Sequence, residues 1–353
     1  MALSSEILLP PASAAHRGRL SSAIVDFALV CPACRTRTPE RIDVRTLEPR
    51  GDLLVCECGR RYPVIDGVPL VMASPGTFLR AEIASVVERE LAPEVVEALV
   101  ADGPDDAPYP RLVEHLAIYL DAHWGDRAEP PPDGPGAAFA SRALVDKIAA
   151  RAAQPVELAV ELGCSVGRIV AELARGADRV AGVELQFGAV RRARRMLDGE
   201  PVAYPRRAVG RRYTAATASA GDLAVPAARR LLVCGDALDP PLIPASFDRV
   251  VALNLVDSVT SPRQLLAVVD GLCRRGGEVI LSSPYAWQSA VMADHERLGG
   301  LDPAADLTAI LRDGVGLGAR YAIEDEAELS WTLRRDARSA ASYAVHYVRA
   351  RKL

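Results

Sequence analysis

From Pro155 onward the chain alternates apolar runs of strand length with amphipathic stretches of helix length, and this constrains the fold more than any other feature. The strands are VELAVEL, DRVAGVEL, RLLVCGD, FDRVVALNLVD and EVILSSP; the helices are GRIVAELARG, AVRRARRMLDG and PRQLLAVVDGLCRRGG. Strands separated by helices imply a parallel sheet with right-handed crossovers. The predicted fold is therefore α/β, a Rossmann-like sheet with helices on both faces. Residues 200–230 interrupt the rhythm as a long, arginine-rich insertion. The last segment, SWTLRRDARSAASYAVHYVRARK, is expected to begin as a helix and end as a strand, YAVHYVRAR.

The turn after the first of these strands reads Glu161-x-Gly163-x-Ser165-x-Gly167, followed by Arg168. In an open parallel sheet, ligands sit beyond the carboxyl ends of the strands, and small residues there let a ligand approach the backbone. A dinucleotide site would show G-x-G-x-x-G aimed at a pyrophosphate. Here Ser165 replaces the middle glycine, a spacing that suits S-adenosylmethionine, which has no phosphate. Cys164 is a small turn residue. Glu184, with Leu185, ends the second strand about 20 residues on, where an acid can accept from both ribose hydroxyls. Asp236 and Ala237 follow the third strand at the expected adenine position. Asn254 and Leu255 follow the fourth, where the cofactor's amino-acid end would lie. One marker is weak; four in order, each at a strand end, make a strong pattern. The plainer alternative is a set of turn glycines and surface acids in another doubly wound domain.

These residues resemble class I S-adenosylmethionine-dependent methyltransferases over about residues 140–353. GCSVGR, GDAL, FDRVVALNLVDSV, SSPYAW, RLGG and the tail LSWTLRRDARSAASYAV look like the methyltransferase family of ovothiol biosynthesis. YLDAHWGD (119–126) is similar to its entry segment. The resemblance implies methylation of a ring nitrogen of a thiol-bearing histidine. SSPY is also similar to the NPPY-type motif of amide and amine methyltransferases. Ser282 and Ser283 replace its Asn and first Pro, so the carboxamide that would bind the target amine is missing.

The chain opens differently. Four of its seven cysteines cluster as Cys31-x-x-Cys34 and Cys56-x-Cys58. Two close pairs on two turns can close a tetrahedral thiolate site, and four protein ligands would make it structural zinc rather than catalytic. The alternative is four ordinary core or surface cysteines. CPAC followed by VCECGRRYPVIDGVPLVM resembles the small zinc-ribbon proteins that activate tRNA and translation-factor methyltransferases. The expected organisation is a flexible tail (1–22), a β-rich zinc ribbon (23–75), a helical connector contributing to the substrate pocket (76–136) and a methyltransferase domain (137–353). Within the connector, residues 77–101 predict one or two amphipathic helices interrupted at Pro93. A helix from about 137 to 153 should follow the proline-rich loop 129–136.

The formal net charge of −4 supplies no global drive toward nucleic acid or an acidic membrane. No apolar run reaches the roughly 20 residues of a membrane helix, and the lack of an export signal points to the cytoplasm. The arginines at 191, 192, 194, 195, 206, 207, 211 and 212 could meet RNA phosphates, but a solvated face is the simpler reading.

Methyl transfer from a sulfonium is an in-line displacement that needs an aligned acceptor, exclusion of water and, for a protonated nucleophile, a base. The candidate catalytic residues are His123, Asp257 and Tyr285. The candidate substrate contacts are Tyr119, Trp124, Trp287, Trp331 and Arg334, the arginine as a partner for a substrate carboxylate. Each has a plainer role: packing for the tryptophans, a core position for His123, a helix cap for Asp257, a solvated face for Arg334. Three readings follow: a methyltransferase of a small amino-acid-derived metabolite, a methyltransferase of protein or tRNA with the ribbon as docking module, or a non-catalytic cofactor-binding subunit. Oligomeric state is not legible.

Overall fold

In the computed structural model, residues 27–37, 42–101, 103–104, 107–137 and 139–353 are described. The tail expected at 1–22 lies outside them. A two-residue pair, β1 (Thr36–Arg37) and β2 (Ile42–Asp43), precedes an antiparallel meander of β3 (Glu48–Arg50), β4 (Leu53–Val55), β5 (Arg61–Ile65) and β6 (Val68–Pro69). Three helices follow, α1 (Pro75–Val87), α2 (Pro93–Val100) and α3 (Pro108–Trp124), each with proline in its first turn, where the missing N–H costs nothing. The short strand β7 (Ala128–Glu129) and α4 (Arg142–Ala149) lead into the main sheet.

That sheet begins with β8 (Val156–Leu162), α5 (Arg168–Leu173), β9 (Ala177–Glu184) and α6 (Phe187–Leu197). The insertion is a hairpin, β10 (Val202–Val209) and β11 (Arg212–Ala218), which pairs with β7. Then come β12 (Arg230–Cys234), β13 (Phe247–Leu253), α7 (Pro262–Leu272), β14 (Cys273–Ser283), α8 (Pro303–Asp313), β15 (Tyr321–Asp336) and β16 (Ser339–Lys352). The strand order is β12-β9-β8-β13-β14-β16-β15, with the first five parallel and the last two antiparallel.

Burial explains why the central strands read as unbroken apolar runs. Ala159, Val180, Val251 and Ile280 enter the core on one face, and Val160, Ala181, Val250 and Val279 that on the other. Each fully buried aliphatic stabilises the fold by about 1.5–3 kcal/mol. Leu29, Leu54 and Tyr62 of the N-terminal meander join the second core, so the meander is packed onto the sheet.

Two expectations need correction. The tail is not helix then strand: SWTLRRD lies wholly within β15, which pairs with β16 along nearly its whole length. Its polar, arginine-rich sequence looks helical alone, but pairing to β16 and burial of Trp331 override that preference. The predicted helix 137–153 is shorter, Arg142–Ala149, continued by a 3-10 turn to Ala153.

Candidate functional site

The turn after β8 has left-handed backbone at Gly163 (φ 75°), Ser165 (φ 46°) and Gly167 (φ 83°). A Cβ at Gly163 would lie 2.9 Å from Leu255 Cδ1, and one at Gly167 would lie 2.9 Å from Ala193 Cβ. Left-handed backbone favours glycine at both positions, and at Gly167 the packed Ala193 closes the space as well. The Gly163 and Cys164 amides donate to Val183 O at 2.8 and 3.1 Å, tying the turn to β9. Glu184, at the end of β9, accepts from Ser165 N at 2.9 Å and from Gln186 N at 2.8 Å. It thus bridges two loops, although burial holds its carboxyl above the usual range. Glu161 is fully buried with Oε2 unpartnered. Burial first, then the Glu184 charge, push its carboxyl well up. Asp236 accepts from Leu238 N at 2.8 Å, which shapes the loop after β12. Asn254 has φ 51°, a region asparagine tolerates, and its side-chain oxygen accepts from Ser282 Oγ at 2.9 Å.

Together these loops floor a cavity of about 540 Å³, within the range of small-molecule sites. Glu161, Gly163, Ser165, Glu184, Leu185, Asp236, Ala237, Asn254 and Leu255 all line it. Its roof comes from elsewhere: His115, Tyr119 and His123 from α3, Trp331 from β15, Glu82 from α1, and Gln288 and Val291 after β14. The α3 residues stand four apart and so share one helix face; the His115 and Tyr119 rings lie 4.5 Å apart and the Tyr119 and His123 rings 6.0 Å. Burial, then the Arg168 guanidinium, push His123 down to about 4, so its imidazole is neutral at pH 7. Its Nδ1 and the Trp331 Nε1 are buried without partners. Burial raises the Tyr119 phenol to about 12. An orphaned Glu161 oxygen, an orphaned Gln186 Oε1 and a glycine turn with no room for a side chain fit a cationic, ribose-bearing ligand.

Other expected residues lie outside this cavity. Arg168 is buried in ion pairs with Asp126 (2.7 Å) and Glu172 (3.1 Å) and lies over the Trp124 and Phe139 rings. It braces α3 by donating to His123 O at 3.1 Å. Trp124 is fully buried and donates to Val166 O at 2.8 Å, holding the glycine turn from behind. Cys164 is buried against Gly182, and burial raises its thiol far above the reactive range. Arg334 donates to Asp133 O, Asp133 Oδ1 and Arg207 O, so its guanidinium is engaged away from the cavity. Tyr285 turns toward β16, where its hydroxyl meets His346 Nδ1 at 2.8 Å; Trp287 packs on it at 5.7 Å. Asp257 accepts from Ala286 N at 2.8 Å, which fastens the loop carrying both.

Sequence reasoning missed His115, Glu82, Gln186 and Gln288. The spacing of His115, Tyr119 and His123 was a usable signal. Glu82 had none: it interrupts α1 with non-helical backbone (φ −116°, ψ 18°) and reaches the cavity only because α1 packs beside α6.

The four N-terminal cysteines converge, with all sulfurs within 4.8 Å of one another. Cys31 and Cys58 are 3.9 Å apart, Cys34 and Cys56 3.7 Å. Tetrahedral zinc with bonds of about 2.3 Å would space sulfurs by about 3.8 Å, so the set fits such an ion. Cys58 completes it despite the short C-x-C spacing because Gly59 (φ 88°) turns the chain, donating to Cys56 O at 2.9 Å.

Residues 160–281, about a third of the chain, match the family model described as a methyltransferase domain. No curated protein matches the chain in sequence. Among solved structures, the magnesium protoporphyrin IX methyltransferase of Synechocystis PCC 6803 is 14% identical, with a TM-score of 0.43, covering 76% of this chain and 100% of its own. The N-methyltransferase NodS of Bradyrhizobium japonicum WM9 is 14% identical, with a TM-score of 0.41, covering 68% and 96%. Parallel sheet, glycine turn and family model define a class I methyltransferase domain. The chain is an enzyme that carries a methyltransferase domain over residues 160–281. Among the described residues no helix is long and apolar enough to cross a membrane.

Proposed function

We propose that this enzyme methylates a ring nitrogen of a small histidine- or thiohistidine-like metabolite. The observation that carries the reading is one cavity lined by His123, Tyr119 and Trp331 together with Glu184 and the glycine turn. In this reading Gly163, Ser165 and Asn254 hold the cofactor's amino-acid end, Glu184 its ribose and Asp236 with Ala237 its adenine. When bound, S-adenosylmethionine supplies a methyl carbon on a cationic sulfur, and the acceptor nitrogen's lone pair takes that carbon as the C–S electrons return to sulfur. In this reading His123 would accept the proton that leaves the other ring nitrogen, Trp331 would pack against the ring, and Tyr119 with the α3 face would exclude water. Residues 23–75 act as a ribbon whose four cysteines hold a structural zinc, 76–136 as connector and 137–353 as catalytic domain. Metal analysis should return about one zinc per chain.

The macromolecular reading has less support. The arginines that could have met RNA are paired: Arg191 and Arg192 with Glu88, Arg195 with Glu90, Arg206 with Asp121, Arg207 with Glu114 and Arg212 with Glu97. Labelled cofactor incubated with separated small-molecule, RNA and protein fractions of a cell extract tests the choice. Label is expected among small molecules; label confined to macromolecules overturns the proposal.

A further inference from the structure

The charges on the cavity wall are one-sided. Among the described residues that line it, Glu82, Glu161, Glu184 and Asp236 are acidic, burial holding Glu161 and Glu184 toward their neutral forms, and none is lysine or arginine. Arg168 and Arg334, each three residues or fewer from a lining residue, are locked into ion pairs outside it. Glu161, Glu184 and Asp236 stand with the glycine turn at the sheet ends, and Glu82 comes from α1. The α3 and β15 residues of the wall are neutral, two imidazoles, a phenol and an indole, as is Ser141 just before α4. S-Adenosylmethionine carries a sulfonium, an ammonium and one carboxylate, so it brings a net single positive charge against those acids.

Building on the proposed methyl transfer, we infer that the acceptor is a neutral or cationic nitrogen compound without a free carboxylate, phosphate or sulfate. An anion entering this cavity would lose its hydration beside carboxylates and find no protein cation in exchange. A neutral azole with a cationic side chain meets the opposite situation. The side chain's positive charge is favoured by the acids and by the Tyr119 and Trp331 ring faces. The azole's ring N–H meets the neutral imidazole of His123 on the cavity wall, and its lone-pair nitrogen stays free for the methyl group. A histidine-like acceptor therefore enters as an amine, alcohol or amide derivative and not as the free amino acid. A partner for a substrate carboxylate, the role foreseen for Arg334, does not exist at this wall.

Matched acceptors that differ only in the anion test this. Full-length enzyme with S-adenosylmethionine is given histidine, histidinamide, histidinol or histamine, and S-adenosylhomocysteine formation is followed. Binding of each compound to the enzyme–S-adenosylhomocysteine complex is measured by calorimetry. The carboxylate-free compounds are expected to show at least about tenfold higher kcat/KM and tighter binding, since like-charge juxtaposition costs several kcal/mol. Equal or better turnover of histidine overturns the inference while leaving ring methylation intact. Absence of turnover and of binding for all four, with S-adenosylhomocysteine still bound, removes the azole reading and the inference with it. Turnover of none but selective binding of the carboxylate-free members upholds the charge rule and corrects only the methylated atom.

Discussion

Glu184 already accepts two backbone amides, from Ser165 and Gln186, so it shapes both loops as well as facing the cavity. Its loss therefore removes a ligand contact and the loop bridge together. Glu184→Ala should weaken S-adenosylhomocysteine binding about 100-fold, given about 1.5–3 kcal/mol for a hydrogen bond to a charged group; unchanged affinity in calorimetry would mean that the ribose lies elsewhere. His123 gives a pH signature. Its folded-state value, near 4, lies below the ordinary 6.5. The unfolded chain therefore binds more protons between those values, and this residue's contribution to stability is present above pH 6.5 and lost as pH falls toward 4. Denaturant midpoints measured from pH 4 to 7 should show that slope flattened in His123→Phe. The acid limb of kcat/KM set by this base should fall near pH 4, not near 6.5.

At the scale of elements, the N-terminal meander is fastened to the loop that carries Asp236. Val71 N donates to Cys234 O at 2.9 Å, and Val30 N, next to Cys31, donates to Pro241 O at 3.0 Å. Arg35, next to Cys34, pairs with Asp239 and donates to Pro240 O. A meander this small has little core of its own, so the zinc proposed for its four cysteines would stabilise it. Stripping the metal with a chelator should lower S-adenosylhomocysteine affinity about tenfold, while far-ultraviolet circular dichroism from the main sheet persists. Equal affinity with and without metal would show that the loop stands unaided. The tail teaches a different lesson about elements. Trp331 and Arg334 are three apart; on a helix they would share a face, on a strand they point to opposite sides. Both were expected to contact substrate, whereas β15 sends Trp331 inward and Arg334 into the ion network with Asp133.

For the whole molecule, cavity walls come from α1, α3, the β8 to β14 loops and β15, so ligand binding should stabilise the chain as a unit. At a concentration 100 times its dissociation constant, S-adenosylhomocysteine should add about 2.7 kcal/mol and raise Tm by a few degrees, read by calorimetry. A shift confined to one of two transitions would show that the meander unfolds separately.

The strand–helix alternation, the glycine turn and the acids at the strand ends were legible because each is local. Apolar period, left-handed backbone and position at a strand end are properties of a few adjacent residues; Glu161, Gly163, Ser165, Glu184 and Asp236 line the cavity, whereas Gly167 lies outside it, against Ala193. The cysteine pairs were legible for the same reason, since metal-ligand spacing is written along the chain. Which side chains roof the cavity was decided only in three dimensions. Tyr285, Asp257 and Arg334 sit at plausible places in sequence, yet contacts with His346, Ala286 and Asp133 turn them elsewhere. Glu82 arrives from a helix whose position depends on Glu88 pairing with Arg191 and Arg192. Cofactor chemistry follows from short-range pattern; acceptor chemistry follows from long-range packing, which no local spacing encodes.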